Sequence, residues 1–208
     1  MTEGNPDSPR KSRIESLSDL IFGLALSIGA LTLIGQSLSD FLQLLLSILY
    51  YAFSFFILIR VWYSYTQTMS YLRIETPRAL NLNIVLLFLV SIEPFLFNQL
   101  LHSNWILVQN VSIIYALDLG GLFAIQAFLA GSILADKNRP EQVLSHYRLL
   151  RNAEIIAVAI FFASALPFFW TWAIPINSTT IIPLRFILWI VPLLLPFIRR
   201  LWEKTHSK

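Results

Sequence analysis

The stretch RIESLSDLIFGLALSIGALTL, residues 13–33, decides the fold. It is apolar over about the length that a helix needs to cross a bilayer. On a helical wheel of about 100° per residue, the bulky side chains share one narrow face, formed by Leu17, Leu20, Leu24, Ile28 and Leu31. Small residues lie on both sides of that face, with Ser16, Gly23, Ser27 and Ala30 on one flank and Ser18, Ala25, Gly29 and Thr32 on the other. Small residues mark close helix contacts in membranes. The pattern therefore indicates either a helix that lines a central axis between neighbours or an ordinary packed helix with a leucine core stripe.

The composition of the chain is that of an integral membrane protein. Of its 208 residues, 56% are hydrophobic and only 13% are charged, whereas a soluble domain carries about 25% charged residues. Cysteine is absent, which excludes a disulfide framework, a thiolate nucleophile and a cysteine-ligated metal site. The net charge of +3 is small and does not indicate a nucleic-acid partner.

Apolar runs predict six membrane spans, and therefore an all-α integral membrane protein. The spans are expected at about 14–34, 41–71, 79–101, 105–134, 153–174 and 181–201. Residues 1–12 are predicted to be a disordered cytoplasmic tail, 13–203 a single six-helix domain and 204–208 a basic cytoplasmic tail. No internal repeat is visible, so a pore on a symmetry axis would require several copies of the chain.

Positive charge in the loops and termini lies on one side of the predicted spans, while Arg185 lies just inside the sixth span on the other side. An even number of spans places both termini on the same side, and Lys and Arg favour the cytoplasmic side. They occur in the two termini and in two alternate loops, at Arg10, Lys11, Arg13, Arg73, Arg78, Lys137, Arg139, Arg148, Arg151, Arg199, Arg200, Lys204 and Lys208. Both termini are therefore expected in the cytoplasm, with the protein in the cell membrane.

Charged residues inside the predicted spans need a physical reason, and they include Asp19, Arg60, Glu93 and Asp118. Asp19 lies roughly 140° around the wheel from the leucine stripe, so we expect it to point into the protein. Its partner is expected from the second span, as either an ion pair with Arg60 or a hydrogen bond from the Trp62 indole. Glu93 and Asp118 are expected to be structural, the alternative being a proton or cation path.

Three stretches together resemble a known family. Arg13, Leu17, Ser18 and Asp19 resemble the R-x-x-x-F-S-D signature that opens the first span of the transmembrane protein 175 (endolysosomal-type) potassium channels and their prokaryotic relatives. Ser54-Phe55 followed by Trp62 resembles the second span of that family, and the run from Asn83 to Pro94-Phe95 resembles the third. Leu17 replaces the signature Phe, and Tyr65 stands where many prokaryotic members have His. Trp62 and Tyr65 are the donors available to Ser18 and Asp19.

The resemblance implies a potassium-selective channel in which four subunits surround one pore lined by the first helix. Like that family, the chain lacks the T-V-G-Y-G filter of ordinary potassium channels. Leu24, Ile28 and Leu31 then form three stacked apolar rings, because positions i, i+4 and i+7 share one helix face. Ser27 would supply polar atoms beside this constriction. No cofactor is expected beyond the permeant K⁺, and the expected partners are other copies of the chain, lipid and monovalent cations.

Two other functional classes are alternatives to a channel. A secondary transporter, or a proton-conducting protein that uses Asp19, Glu93 and Asp118, is the alternative, although transporters often contain paired repeats. An enzyme is not expected, because the chain has no H-E-x-x-H or G-x-S-x-G motif. Its three histidines, His102, His146 and His206, fall in a turn, a loop and a tail, so no metal or haem site is predicted.

Overall fold

The protein is a bundle of helices with one short two-stranded sheet. The computed structural model describes residues 9–31, 33, 41–72, 77–102, 104–136, 138–175 and 181–206. The helices are α1 (Pro9–Leu31), α2 (Phe41–Tyr71), α3 (Pro77–His102), α4 (Trp105–Leu134), α5 (Glu141–Ser164), α6 (Phe168–Thr171) and α7 (Leu184–His206). Strands β1 (Ala173–Pro175) and β2 (Ile181–Pro183) pair antiparallel, with Ile174 opposite Ile182.

Within the described residues, four helical segments are long and apolar enough to cross a membrane. They are Lys11–Leu31, Ser47–Tyr71, Pro77–Leu101 and Ile106–Leu134. The chain is therefore a multi-pass membrane protein. Helix α7 contributes a shorter apolar segment, Leu184–Leu195, and α5 is not among the four because its first half is polar.

The predicted helix boundaries hold best where the apolar runs are longest. Helices α2 and α4 have the predicted bounds, whereas α1 begins at Pro9, inside the predicted tail. The prediction for the fifth span is wrong at both ends, since α5 begins at Glu141 and ends at Ser164. Polar residues 141–152 continue the helix beyond the apolar run. Proline restricts the residue before it and removes a helical donor, and the chain turns at Leu166-Pro167 before α6.

Several predictions concern residues outside those that the structure describes. These are the tail before residue 9, the turns at 35–40 and 176–180, and the basic residues Arg73 and Lys137. The β1–β2 pairing was not predicted. It brackets the segment 176–180 and joins the end of α6 to the start of α7.

Aromatic residues from four helices meet around Trp189 of α7. Its ring lies 5.2 Å from that of Tyr115 on α4, 6.3 Å from that of Phe53 on α2 and 6.5 Å from that of Phe161 on α5, measured between centroids. Trp189 is buried, and its indole N–H donates to the Ser164 hydroxyl at 2.9 Å. A buried Trp usually finds such a partner. These contacts hold α2, α4, α5 and α7 together as the core of the subunit.

Arg185 fixes the start of α7 against the end of α5. Its guanidinium donates to the backbone carbonyls of Ser164, Ala165 and Leu166 at 2.6, 3.2 and 3.1 Å and to the Ser112 hydroxyl of α4 at 2.5 Å. The last carbonyls of a helix lack intrahelical partners and form its negative end. A fully buried arginine is therefore accommodated by a helix C-terminus and needs no carboxylate.

Candidate pore helix and its supports

The leucine stripe of α1 faces away from the rest of its own chain. Leu20, Leu24 and Leu31 are 70%, 61% and 61% exposed in the single subunit, and Ile28 is 41% exposed. Leu17 is exposed as well. Within one subunit the stripe is therefore not part of the hydrophobic core.

The opposite face of α1 is buried against its own subunit. Ser18, Phe22, Ala25 and Gly29 are buried, and their spacing of four, three and four residues puts them on one helix face. A Cβ atom at Gly29 would lie 3.4 Å from the Tyr51 ring of α2, and the Tyr51 hydroxyl donates to the Leu26 carbonyl at 3.5 Å. This flank of small residues is the one that packs within the subunit.

The second flank of small residues is open. A Cβ atom at Gly23 would have no neighbour within 4 Å, and Ser16 and Ser27 are exposed. Both hydroxyls donate within α1, Ser16 to Ser12 and Ser27 to Gly23, at 2.9 and 2.8 Å. The hydroxyl oxygen of Ser27 keeps its acceptor capacity beside Ile28. The two flanks look alike on the helical wheel, but only one of them is buried within the subunit.

Two hydrogen bonds from α2 hold the signature residues of α1. The Tyr65 and Ser18 hydroxyls lie 2.7 Å apart, and Ser18 also donates to the Ile14 carbonyl at 2.8 Å. The Trp62 indole N–H donates to Asp19 Oδ1 at 2.9 Å. Trp62 and Tyr65 are three residues apart and therefore share one face of α2. Arg13, at the same end of α1, is exposed.

The predicted ion pair between Asp19 and Arg60 is wrong. Arg60 and Trp62 are two residues apart, so their side chains leave α2 about 200° from each other. With Trp62 facing α1, Arg60 faces the subunit interior and pairs with Glu154 of α5 at 3.3 Å. The prediction that Asp19 points into the protein is also wrong for a single subunit, because the residue is exposed apart from its contact with Trp62.

Arg60 joins four helices. Besides Glu154, it donates to the Pro192 carbonyl of α7, and its guanidinium carbon lies 4.8 Å from the centroid of the Phe123 ring on α4. Ser64, one turn further along α2, donates to the other oxygen of Glu154 at 3.2 Å. Glu154 was missed from the sequence because it lies at the edge of the predicted fifth span. The apolar residues that follow it, Ile155, Ile156 and Ala157, were the signal in the sequence that Glu154 is buried.

Glu93 and Asp118 are brought into one region between α3 and α4. Glu93 Oε1 accepts hydrogen bonds from Ser54 at 2.8 Å and from Tyr115 at 2.7 Å. Both carboxyl-bearing residues are buried. Asp19 is held elsewhere, by Trp62, so the structure does not join the three acidic residues of the alternative prediction into a path.

A small groove lies at the end of the bundle where α5 begins. Its volume is about 320 Å³, and Gln67, Tyr71, His146 and Tyr147 are among its lining residues. Burial raises the pKa of Tyr147 to about 12, and its hydroxyl donates to the Gln67 carbonyl at 2.6 Å. Tyr147 therefore stays neutral and ties α5 to α2. No cluster of three metal-ligating side chains occurs among the described residues.

Comparisons with known proteins bear on the same helices. The family model described as "Endosomal/lysosomal potassium channel TMEM175" matches residues 13–94, which contain α1, α2 and most of α3. This stretch of the chain is therefore similar to the TMEM175 family. The family is one of potassium channels and not a class of enzymes.

A solved TMEM175 homologue has the same fold as this chain. The crystal structure described as that of a lysosomal potassium-selective channel TMEM175 homolog from Chamaesiphon minutus matches with a TM-score of 0.64. The match covers 92% of this chain and 98% of the homologue, at 20% sequence identity. A comparison with curated proteins gives no significant match.

Proposed function

We propose that this chain is a member of the TMEM175 family and a potassium-selective channel formed by four identical subunits, with α1 innermost. The observation that carries the proposal is the exposed stripe of α1, which lies in the segment that matches the family model. Bulky apolar side chains on a free helix face, with small residues beside them, suit packing of like helices around an axis.

In the proposed tetramer, Leu24, Ile28 and Leu31 form the narrowest part of the pathway. Four copies of each make an apolar ring, and a narrow apolar throat can close by losing its water. Sodium holds its water more strongly than potassium, and leucine offers no oxygen in exchange. The throat therefore favours potassium without a carbonyl filter, and Ser27 contributes polar atoms beside it.

The open flank of α1 supplies the proposed contact between subunits. Gly23 has open space around it within one subunit, and Asp19 is exposed next to the same flank. Arg13, Ser18, Asp19, Trp62 and Tyr65 then act by holding α1 in place and do not contact the ion.

The proposed topology has six spans in the cell membrane and both termini in the cytoplasm. The basic residues of the termini and of two alternate loops support this orientation through the positive-inside rule. Helix α5 and the apolar part of α7 supply the fifth and sixth spans beside the four segments that already have the length and composition of a span.

Reconstitution into liposomes tests the proposal. Reversal potentials measured with potassium on one side and sodium on the other are expected to indicate a preference for potassium, with passive and non-saturating flux. Native mass measurement of the same preparation is expected to give four subunits. A monomer or dimer that conducts would contradict the tetramer. A flux that saturates and is coupled to a second ion gradient would indicate a transporter.

A further inference from the structure

Two carboxyl groups inside the subunit lack a basic partner. Glu93 on α3 and Asp118 on α4 are 0% and 5% exposed, within segments that can cross a membrane. No ion pair among the described residues includes either of them. The contrast is with Glu154, which is equally buried but is paired with Arg60.

Three oxygen atoms of these two carboxyl groups are buried without a hydrogen-bond partner in the described part of the chain. They are Oε2 of Glu93 and both carboxylate oxygens of Asp118. The remaining oxygen of Glu93 accepts from the hydroxyls of Ser54 and Tyr115. Tyr115 and Asp118 are three residues apart and share one face of α4, so Asp118 lies on the face of α4 that meets Glu93 through Tyr115. The unpartnered oxygens therefore occupy one region between the two helices.

Carboxylate and hydroxyl oxygens at this density are the ligands of a hard cation. An ionised carboxyl group buried in a membrane without a counter-charge is strongly unfavourable. One monovalent cation balances the charge of one of the two carboxyl groups, and a single proton held by the pair neutralises the other. Ca²⁺ requires about six to eight oxygen ligands, and Mg²⁺ gives up its water reluctantly. The region offers three free carboxylate oxygens and two hydroxyls, which is too few ligands for Ca²⁺ and suits an alkali cation.

We propose that Glu93 and Asp118 bind one dehydrated alkali cation in each subunit, between α3 and α4. Ser54 and Tyr115 orient Glu93 for this role. The site uses none of the α1 residues proposed to line the pore, so it is a resident site and not a step in permeation. Because Ser54 belongs to α2, the bound ion stabilises the packing of three helices.

Binding of ²²Na⁺ to the purified protein in detergent tests the site directly. One ion per subunit is expected, with competition by K⁺ and none by N-methyl-D-glucamine. The thermal unfolding temperature is expected to be higher in NaCl or KCl than in N-methyl-D-glucamine chloride of equal ionic strength. Glu93→Gln and Asp118→Asn should each weaken ²²Na⁺ binding by at least about 10–100-fold, since losing even an outer partner of a metal ligand costs that much. Glu141→Gln, which removes an exposed carboxylate, should leave binding unchanged.

Three results would overturn the proposal. One is wild-type protein that binds no ²²Na⁺ and unfolds at the same temperature in all three salts. A second is unchanged binding in folded Glu93→Gln and Asp118→Asn, which would assign the bound ion to the pore. A third is stability that depends on pH and not on the cation, which would mean that protons neutralise the pair. None of these measurements needs ion flux, so they test the site independently of channel activity.

Discussion

Helices α1 and α4 are both long enough to cross a membrane, yet they are covered by the chain to very different extents. In their most apolar windows, 22% of the α1 residues and 67% of the α4 residues are buried within the subunit. Lipid covers exposed leucines as well as protein does, so exposure alone does not identify an interface. The exposed Gly23 and Ser27 beside the stripe do distinguish α1. Small side chains allow the backbone of another helix to approach closely, whereas they give no comparable advantage where the helix contacts lipid.

The same contrast applies to the polar residues of the two regions. Those of the interior around α4 are largely or fully buried and need partners inside the subunit, as Arg60 and Glu154 have. Those of α1 are exposed or donate to their own helix, as Ser27 does. A change in the interior should therefore act on the folding of one subunit, and a change on the outer side of α1 should act on assembly and conduction.

The largest effect is expected from breaking the buried ion pair. Arg60→Met leaves Glu154 charged and uncompensated, which should lower the free energy of unfolding by about 3–5 kcal/mol. Denaturant unfolding in detergent measures the change. The double variant Arg60→Met/Glu154→Leu should recover much of the loss, because no unpaired charge remains. A single variant as stable as the wild type would show that the pair does not support the interior.

Substitutions at the two glycines of α1 test the difference between its buried and its open flank most directly. Gly29→Leu should collide with Tyr51 and destabilise the subunit by about 1–3 kcal/mol through overpacking. Gly23→Leu meets nothing within the subunit, so it should leave the unfolding of one subunit unchanged while reducing the fraction of tetramer. Unfolding curves and native mass measurements of both variants separate the effects. Intact tetramers of Gly23→Leu would place the subunit contact on another surface.

A smaller effect is expected from removing the carboxylate that Trp62 binds. Asp19→Ala deletes a hydrogen bond to a charged group at an exposed site, so we expect a loss of about 1–2 kcal/mol in assembly per subunit. Size-exclusion chromatography of the detergent-solubilised protein follows the loss of tetramer. Asp19→Asn, which keeps an acceptor, is the matched control and should retain most of the assembly. A fully assembled Asp19→Ala tetramer with altered selectivity would instead place Asp19 on the ion pathway.

The smallest change in stability is expected on the stripe itself. Leu24→Ala and Ile28→Ala remove exposed methyl groups, so the free energy of unfolding of the subunit should change by about 0.5 kcal/mol or less. Conductance should nevertheless rise and the preference for potassium over sodium should weaken, because the apolar throat is wider. Bilayer recordings with Ile84→Ala, an exposed aliphatic residue of α3, provide the control. Unchanged conductance and selectivity in both α1 variants would put the constriction elsewhere.

Local hydropathy carried enough information to predict much of the fold. The bounds of α2 and α4 follow from uninterrupted apolar runs, and the resemblance to the TMEM175 channels follows from residues around Arg13, Ser18 and Asp19. The fifth helix was misplaced because hydropathy identifies the part of a helix that lies in lipid. It does not identify a polar continuation such as residues 141–152, whose helix is stabilised by contacts such as that of Tyr147 with Gln67.

Sequence by itself determined that this chain enters the membrane and that α1 carries a bulky face between two small flanks, because both properties depend only on the order of side chains along a helix. Tertiary structure alone decided which flank is buried, because the choice depends on where Tyr51 and Tyr65 of α2 lie. It also decided that Trp62 and not Arg60 meets Asp19. Two residues that diverge by about 200° on one helix cannot both face α1, and only the packing of α5 against α2 gives Arg60 its partner.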